Sequence, residues 1–214
     1  VIIHVRSQET CDEINSGKNS AYLPGHTLPK NICAVRTWDE VITKTQGQVE
    51  VIVSGLPMSA IDDFCSIHKT ELNQYLSQGV CLVNLAKGID PETLELPDQM
   101  FLKHFGAHED KLMYLSGPSF AQEILEQQVT IVSLAGVDKE KVLNVCEMFS
   151  TEFFKCLPTT DVKGVLLGGS LKNVIAIAGG IIEGLGYNHN TRAALITRGI
   201  VEMLRFGAYF NARP

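Results

Sequence analysis

The chain has 214 residues, a length that suits one large domain or two small ones. Hydrophobic residues make up 45% of it and charged residues 20%, which is typical of a soluble globular protein with a sizeable core. The net charge of −6 and the lack of a basic run argue against a nucleic-acid partner. An anionic substrate would therefore have to be held by cations placed locally.

Seven short apolar runs alternate with helical patterns up to Pro158. This alternation is typical of parallel crossover units in an open α/β sheet, a Rossmann-like doubly wound sheet. After Pro158 the pattern is all-helical, so we predict an α/β domain over 1–158 and a helical domain over 159–214. The predicted strands are 1–5, 32–35, 49–57, 80–86, 112–115, 130–135 and 153–157, and the predicted helices are 8–17, 38–45, 58–76, 139–150, 160–186 and 191–211.

Three of the predicted strands are followed by groups suited to binding a ligand, which in such sheets sits at the carboxyl ends of strands. Arg6 could meet a 2′-phosphate or stack on an adenine, or be solvated in a loop. Lys87 is either a ligand contact or a surface lysine in a turn. Ser119, after Gly117, could cap a helix, with Gln122 completing a capping box. The N-terminus of that helix is either an anion site or a plain helix cap.

The longest helical pattern, 160–186, predicts a helix of about 25 residues that is buried nearly all round. Asp161 suits its start and Gly184 and Gly186 suit its end. Lys172 and Asn173 stand in its middle, either as a catalytic pair facing a cleft or as a lysine reaching the surface beside an asparagine that bonds a neighbouring helix.

Other features of this helix and of the cysteines narrow the class of protein further. Its uncharged run, 173–182, is shorter than the ~20 residues that span a bilayer, so we expect no membrane span. We expect its glycines to let another backbone approach closely; they are Gly168, Gly169, Gly179 and Gly180.

Six cysteines without paired spacing indicate free thiols in a reducing compartment, and six histidines show no metal-ligand pattern, so no metal site is predicted. His104 and His108 are interpreted as surface residues.

Taken together, these segments resemble the NAD(P)-dependent glycerol-3-phosphate dehydrogenases over nearly the whole chain. The motifs are LAKGID at 85–90, LSGPSFAQEI at 115–124, GGSLKNVIAIAGGIIEGLG at 168–186 and NTRAALITRGIVEM at 190–203, with weaker support from YLPG at 22–25 and VIVSGLP at 51–57. The resemblance implies reversible reduction of dihydroxyacetone phosphate to sn-glycerol 3-phosphate with NAD as cofactor, or NADP. The first domain would then bind the cofactor and the second the substrate.

The resemblance also implies a role for each motif residue. Lys172 would be the general acid and base at the substrate C2 oxygen, its pKa lowered by desolvation in the apolar helix, and Asn173 would hold the substrate. Lys87 would lie between nicotinamide and substrate and orient the carbonyl. Gly117 and Ser119 would contact the substrate, whereas Arg6, Pro57 and Ala121 would contact the cofactor, Arg6 at the adenosine ribose. Ser7 offers no second positive charge for a 2′-phosphate, so the choice between NADH and NADPH stays open.

The sequence departs from the family in three places. We expect it to begin at the family's second strand, after the glycine-rich pyrophosphate loop, and to end before the helices that carry an Asp near the catalytic Lys and an Arg-Asn pair for the substrate phosphate. Ala86 stands where the family usually has Thr. The alternatives are a related two-domain dehydrogenase of another hydroxy acid, or a non-catalytic fragment of the same fold that serves as an interaction module. A cytoplasmic homodimer is expected, with a plastid form as the alternative compartment.

Overall fold

The computed structural model describes residues 1–213, which contain seven strands and nine α-helices. The strands are β1 (Ile2–His4), β2 (Cys33–Val35), β3 (Val51–Ser54), β4 (Cys81–Asn84), β5 (Leu112–Ser116), β6 (Thr130–Ala135) and β7 (Phe154–Thr159). The helices are α1 (Gln8–Asn15), α2 (Trp38–Thr45), α3 (Ile61–Ile67), α4 (Lys69–Ser77), α5 (Pro97–Phe105), α6 (Ala121–Leu125), α7 (Lys139–Phe149), α8 (Val162–Gly184) and α9 (His189–Tyr209). Short 3₁₀ turns occupy Met58–Ala60 and Gly106–Lys111.

The chain forms two compact units, one of Val1–Glu50 with Phe120–Glu126, the other of Val51–Ser119 with the chain from Gln127 on. In the first unit, β1 and β2 pair in parallel and α1 packs its buried face, Cys11 and Ile14, against Ala34. The predicted division at residue 158 stays a prediction.

The second unit is built on a five-stranded sheet in the order β3-β4-β5-β6-β7. Its core lies between the sheet and α7, where Val83, Met113, Leu134 and Val142 are almost completely buried. The Rossmann-like α/β sheet followed by a helical segment is thereby confirmed. One detail differs, because β5 and β6 pair antiparallel rather than parallel. The five-residue α6 between them extends only ~7.5 Å, too short to carry the chain back along the sheet as a crossover helix does.

Most predicted elements are found, and three details of the helices are wrong. The predicted helix 58–76 is broken at His68, whose backbone leaves the helical region between α3 and α4. The helix α5, in a segment for which no element was predicted, pairs His104 with Asp62 at 2.9 Å. The second long helix begins at His189 and ends at Tyr209, each two residues before the predicted bound.

The long helix is confirmed as α8, with Asp161 capping it by accepting from the Gly164 N–H at 3.0 Å and Gly186 left-handed after its end. The prediction that it is buried nearly all round is wrong. Within it only Leu166, Leu167 and Gly169 are buried, and Val174 is 67% exposed. Among residues 1–213, α8 packs mainly on β5, β6 and α9, which cover one side of it.

By length and apolar composition α8 is the one helix in the described part of the chain that could cross a membrane. Its first turns instead pack on β5, and Lys172 interrupts its apolar sequence. The absence of a membrane span therefore stays a prediction.

Candidate active site

The end of β4 carries Lys87 to the edge of the sheet. Asn84, the last residue of the strand, is fully buried, and its side-chain amide closes a turn by bonding both the N–H and the carbonyl of Ala86. The half-buried Lys87 then points its Nζ at the carbonyl oxygen of Gly117, to which it donates at 2.9 Å. Two strand ends are thus joined by an ammonium group.

Gly117 follows β5 in a conformation that only glycine adopts readily, with φ of 150°. A Cβ there would also lie 2.9 Å from the Cα of Val132 on β6, closer than real side chains approach. Two steric constraints therefore favour glycine at position 117, and the Gly117 carbonyl points toward Lys87.

The helix α8 comes very close to the same strand ends. A Cβ on Gly169 would lie 2.6 Å from the Oγ of Ser116, at the end of β5. One residue on, the Ser170 hydroxyl accepts from the Gly88 N–H at 3.2 Å and donates to the Leu166 carbonyl at 2.8 Å. These contacts fix α8 against the Lys87 loop two residues before Lys172.

A close approach to the α8 glycines is seen at Gly169, and there the near atoms belong to the side chains of Ser116 and Lys87 and not to a backbone as predicted. Apart from the adjacent residues and the helix backbone itself, no described atom lies within 4 Å of a Cβ built at the other three, Gly168, Gly179 and Gly180.

The electrostatics of the site centre on Lys87. Burial lowers the pKa of Lys87, and the positive charge of Lys172 lowers it further. Lys172 itself is exposed, so the prediction that it is desolvated in the apolar helix is wrong among residues 1–213, since α8 is covered on one side only. Asn173, its neighbour in α8, is exposed as well. The charge of Lys172 nonetheless acts on Lys87, as one of the two causes of its lowered pKa.

The remaining candidates fall into both units. In the second unit, Pro57 follows β3 and is exposed, and Ser119 lies half-buried two residues after Gly117. Because β3, β4 and β5 are parallel, Pro57, Lys87 and Gly117 lie at the same edge of the sheet. In the first unit, Arg6 follows β1, and Ala121 is the first residue of α6.

The predicted cap at Ser119 is wrong. The residue before α6 is Phe120, which makes no side-chain cap, and the helix has only five residues.

This edge of the sheet fits a bound cofactor and substrate. Among the described residues, the buried Ser54 hydroxyl at the end of β3 has no hydrogen-bond partner, and a Cβ on Gly55 would meet nothing within 4 Å. A group that binds at this edge would meet open space at Gly55 and the ammonium group of Lys87. Among residues 1–213, no group of three His, Cys, Asp or Glu is placed to hold a metal ion.

Ser116 and Ser170 were not singled out from the sequence. The hydroxyl of Ser170 in an otherwise apolar helix, two residues before Lys172, was the available signal. Its partner Gly88 lies 82 residues away, so the spacing alone could not reveal the contact.

Comparison with known proteins agrees with this geometry. Residues 1–142 match the family model of the NAD-dependent glycerol-3-phosphate dehydrogenase N-terminus, and residues 161–214 match that of the C-terminus. The chain is 39% identical to glycerol-3-phosphate dehydrogenase [NAD(P)+] of Lawsonia intracellularis, over 98% of this chain and 59% of that protein. The corresponding protein of Leptospira biflexa is 38% identical, over 100% of this chain and 62% of the relative.

Solved structures give the same result. The crystal structure of glycerol-3-phosphate dehydrogenase from Coxiella burnetii superposes with a TM-score of 0.84 at 28% identity, covering 100% of this chain and 62% of that one. The Dunaliella salina structure, with a TM-score of 0.81 at 24% identity over 98% of this chain and 36% of that one, shows the shared fold. The chain spans about three fifths of the length of the curated relatives that it matches. With both family models matched along it, the chain belongs to the NAD-dependent glycerol-3-phosphate dehydrogenase family.

Proposed function

We propose that the protein reversibly reduces dihydroxyacetone phosphate to sn-glycerol 3-phosphate with a nicotinamide cofactor, a reaction that feeds glycerol and glycerolipid synthesis. The observation that carries the proposal is the placement of Lys87 at the end of β4, where its Nζ donates to the Gly117 carbonyl and its loop is bonded to α8 at Ser170, two residues before Lys172. The names of the relatives from Lawsonia and Leptospira support the same reaction.

The two lysines have separate tasks in this proposal. Reduction of a ketone adds a hydride to the carbonyl carbon and a proton to its oxygen, and the cofactor supplies the hydride. Lys172 gives the proton to the C2 oxygen and takes it back in the reverse direction. Lys87 is held by the Gly117 carbonyl, and it orients the substrate carbonyl and stabilises the negative charge that develops on its oxygen.

The other candidates bind and orient. Asn173 hydrogen-bonds the substrate, and Gly117 and Ser119 line its site at the end of β5. Pro57, Arg6 and Ala121 contact the cofactor, with Lys87 between the two ligands. Because the whole chain carries a net charge of −6, the local cations are what attract a phosphorylated substrate.

The proposal is tested by following the oxidation of NADH and NADPH after dihydroxyacetone phosphate is added. The Lys172→Ala variant should lose at least about 100-fold in kcat, because general acid catalysis is removed. Its free energy of unfolding should hold or rise, since the Lys172 side chain is exposed. The matched control is Lys155→Ala, which removes an exposed lysine from β7 and should keep full turnover.

Two results would contradict the proposal. One is equal turnover of the Lys172→Ala and Lys155→Ala variants. The other is the absence of any oxidation that depends on dihydroxyacetone phosphate, while a small hydroxy acid is turned over in the reverse assay.

We also propose that the protein is a cytoplasmic homodimer. Exposed apolar side chains along α8, at Val174, Ile177 and Ile181, are compatible with burial by further protein. Light scattering on the purified protein tests the oligomeric state, and a monomeric mass at micromolar concentration would refute it.

A further inference from the structure

The loop after β1 lacks the acidic group that a dinucleotide without a 2′-phosphate uses. In Rossmann-type sheets, an Asp or Glu at such a strand end bonds the ribose 2′-hydroxyl of NAD, whereas arginine accommodates the 2′-phosphate of NADP. The residues between β1 and α1 are Val5, Arg6 and Ser7, of which only Arg6 is charged; the first acidic residue after them, Glu9, lies in the first turn of α1. Ser7 is occupied as the cap of α1, accepting from the Thr10 N–H at 3.0 Å.

A second arginine, from a different part of the sequence, contacts this loop. Arg36 follows β2, which pairs in parallel with β1, so the carboxyl ends of both strands lie at one edge. Its guanidinium donates from Nη2 to the Arg6 carbonyl at 3.4 Å and from Nη1 to the Gln8 Oε1 at 3.2 Å. Arg36 thus brings a second positive charge to the loop that carries Arg6, although 30 residues separate the two in sequence.

Hydrogen bonds hold the backbone of Arg36, so the point from which its side chain extends is fixed as well. Its N–H donates to the Glu40 Oε2 at 2.8 Å, and its carbonyl lies 3.1 Å from the His4 Nε2. The carboxylate of Glu40 also accepts from the Thr37 N–H, so it is engaged with backbone groups. Likewise, Asp12 accepts from the Gln8 side-chain amide at 2.7 Å. The neighbouring carboxylates thus have hydrogen-bonding roles of their own.

We propose that Arg6 and Arg36 together form a subsite for the 2′-phosphate of NADPH, and that the protein therefore prefers NADP(H) to NAD(H). Each of the two guanidinium groups can bind the same phosphate through a pair of N–H donors, a geometry that lysine does not offer. Arg36 supplies the second positive charge that the sequence around Ser7 lacks. The inference rests on the proposed use of a nicotinamide cofactor, and it gives a role to Arg36, to which the family resemblance assigns none.

Calorimetric titration with two nucleotides tests this subsite without turnover. Adenosine 2′,5′-bisphosphate should bind at least about tenfold more tightly than adenosine 5′-monophosphate, a difference of ~1.4 kcal/mol. Arg36→Gln should remove most of that ratio and leave the affinity for the monophosphate unchanged. Arg36→Lys should give an intermediate ratio, because lysine keeps the positive charge and lacks the paired N–H donors of the guanidinium group. Arg198→Gln, which alters an exposed arginine paired with Glu202 in α9, is the control and should leave the ratio unchanged.

The outcomes separate this inference from the proposed function. Equal affinities for the two nucleotides, no binding of either, or an unchanged ratio in Arg36→Gln would overturn the subsite. The reductase activity could then still stand with NADH. Loss of activity with both cofactors, with the binding ratio intact, would instead overturn the proposed function and leave the subsite in place.

Discussion

The close approach of α8 to β5 can be tested with two adjacent glycines. Replacing an interior helical glycine by alanine should stabilise the helix by up to ~1 kcal/mol, because alanine has the higher helix propensity. At Gly168 nothing lies within 4 Å of the added methyl, so Gly168→Ala should gain most of this. At Gly169 the methyl would lie 2.6 Å from the Ser116 Oγ, so this hydroxyl must turn out of its present rotamer, at a cost of about 0.5–1.5 kcal/mol. Urea denaturation should therefore place Gly169→Ala about 0.5–1.5 kcal/mol below Gly168→Ala.

A double variant makes this prediction specific to one contact. With Ser116→Ala in place, the remaining Ser116 Cβ and the Lys87 Cγ lie 3.6 Å from the Gly169 methyl, an ordinary contact distance. Without the hydroxyl, Gly169→Ala should stabilise as Gly168→Ala does, so the two substitutions should show a favourable coupling of about 0.5–1.5 kcal/mol. Equal stabilities of the two glycine variants, or no coupling with Ser116→Ala, would refute the packing on which the site geometry depends.

Three further predictions concern the same strand ends. Gly117→Ala should destabilise the protein by several kcal/mol, because the φ of 150° and the adjoining β6 backbone both oppose a side chain. A free energy of unfolding equal to that of the wild type, measured by chemical denaturation, would contradict this. Ser170→Ala should cost about 1 kcal/mol of stability through the lost bond to Gly88, and Ser170→Thr, which keeps a hydroxyl, should lose less. Lys87 should react with an acylating reagent at a lower pH than the exposed Lys155, since a lowered pKa yields the free amine earlier; identical pH profiles by peptide mass spectrometry would exclude the lowered pKa.

Much of the fold follows from local sequence patterns. Helix α2 and strand β6 have the bounds that were predicted, because a capping box at Thr37 and a bounded β-branched run mark their ends. The positions of Lys87 and Gly117 follow from the rule that strand ends meet at one edge of a parallel sheet.

Features that depend on distant partners could not be predicted. The apolar sequence of α8 indicates that its faces suit burial, but the sequence does not say which elements cover them, so the exposure of Lys172 was missed. The contact of Ser170 with Gly88 and the placement of Arg36 on the Arg6 loop join residues 82 and 30 positions apart. The antiparallel direction of β6 was likewise missed, because strand patterns carry no direction.

The central claim is that Lys87 and Lys172 act on one substrate, and protection from chemical modification tests it most directly. Each lysine would be acylated with and without saturating sn-glycerol 3-phosphate, and its modified fraction measured by peptide mass spectrometry, with Lys155 as the internal control. The account predicts that the ligand protects Lys87 and Lys172 together, with the same half-protecting concentration, and leaves Lys155 unaffected. Protection of neither lysine, or of only one of them, would contradict it.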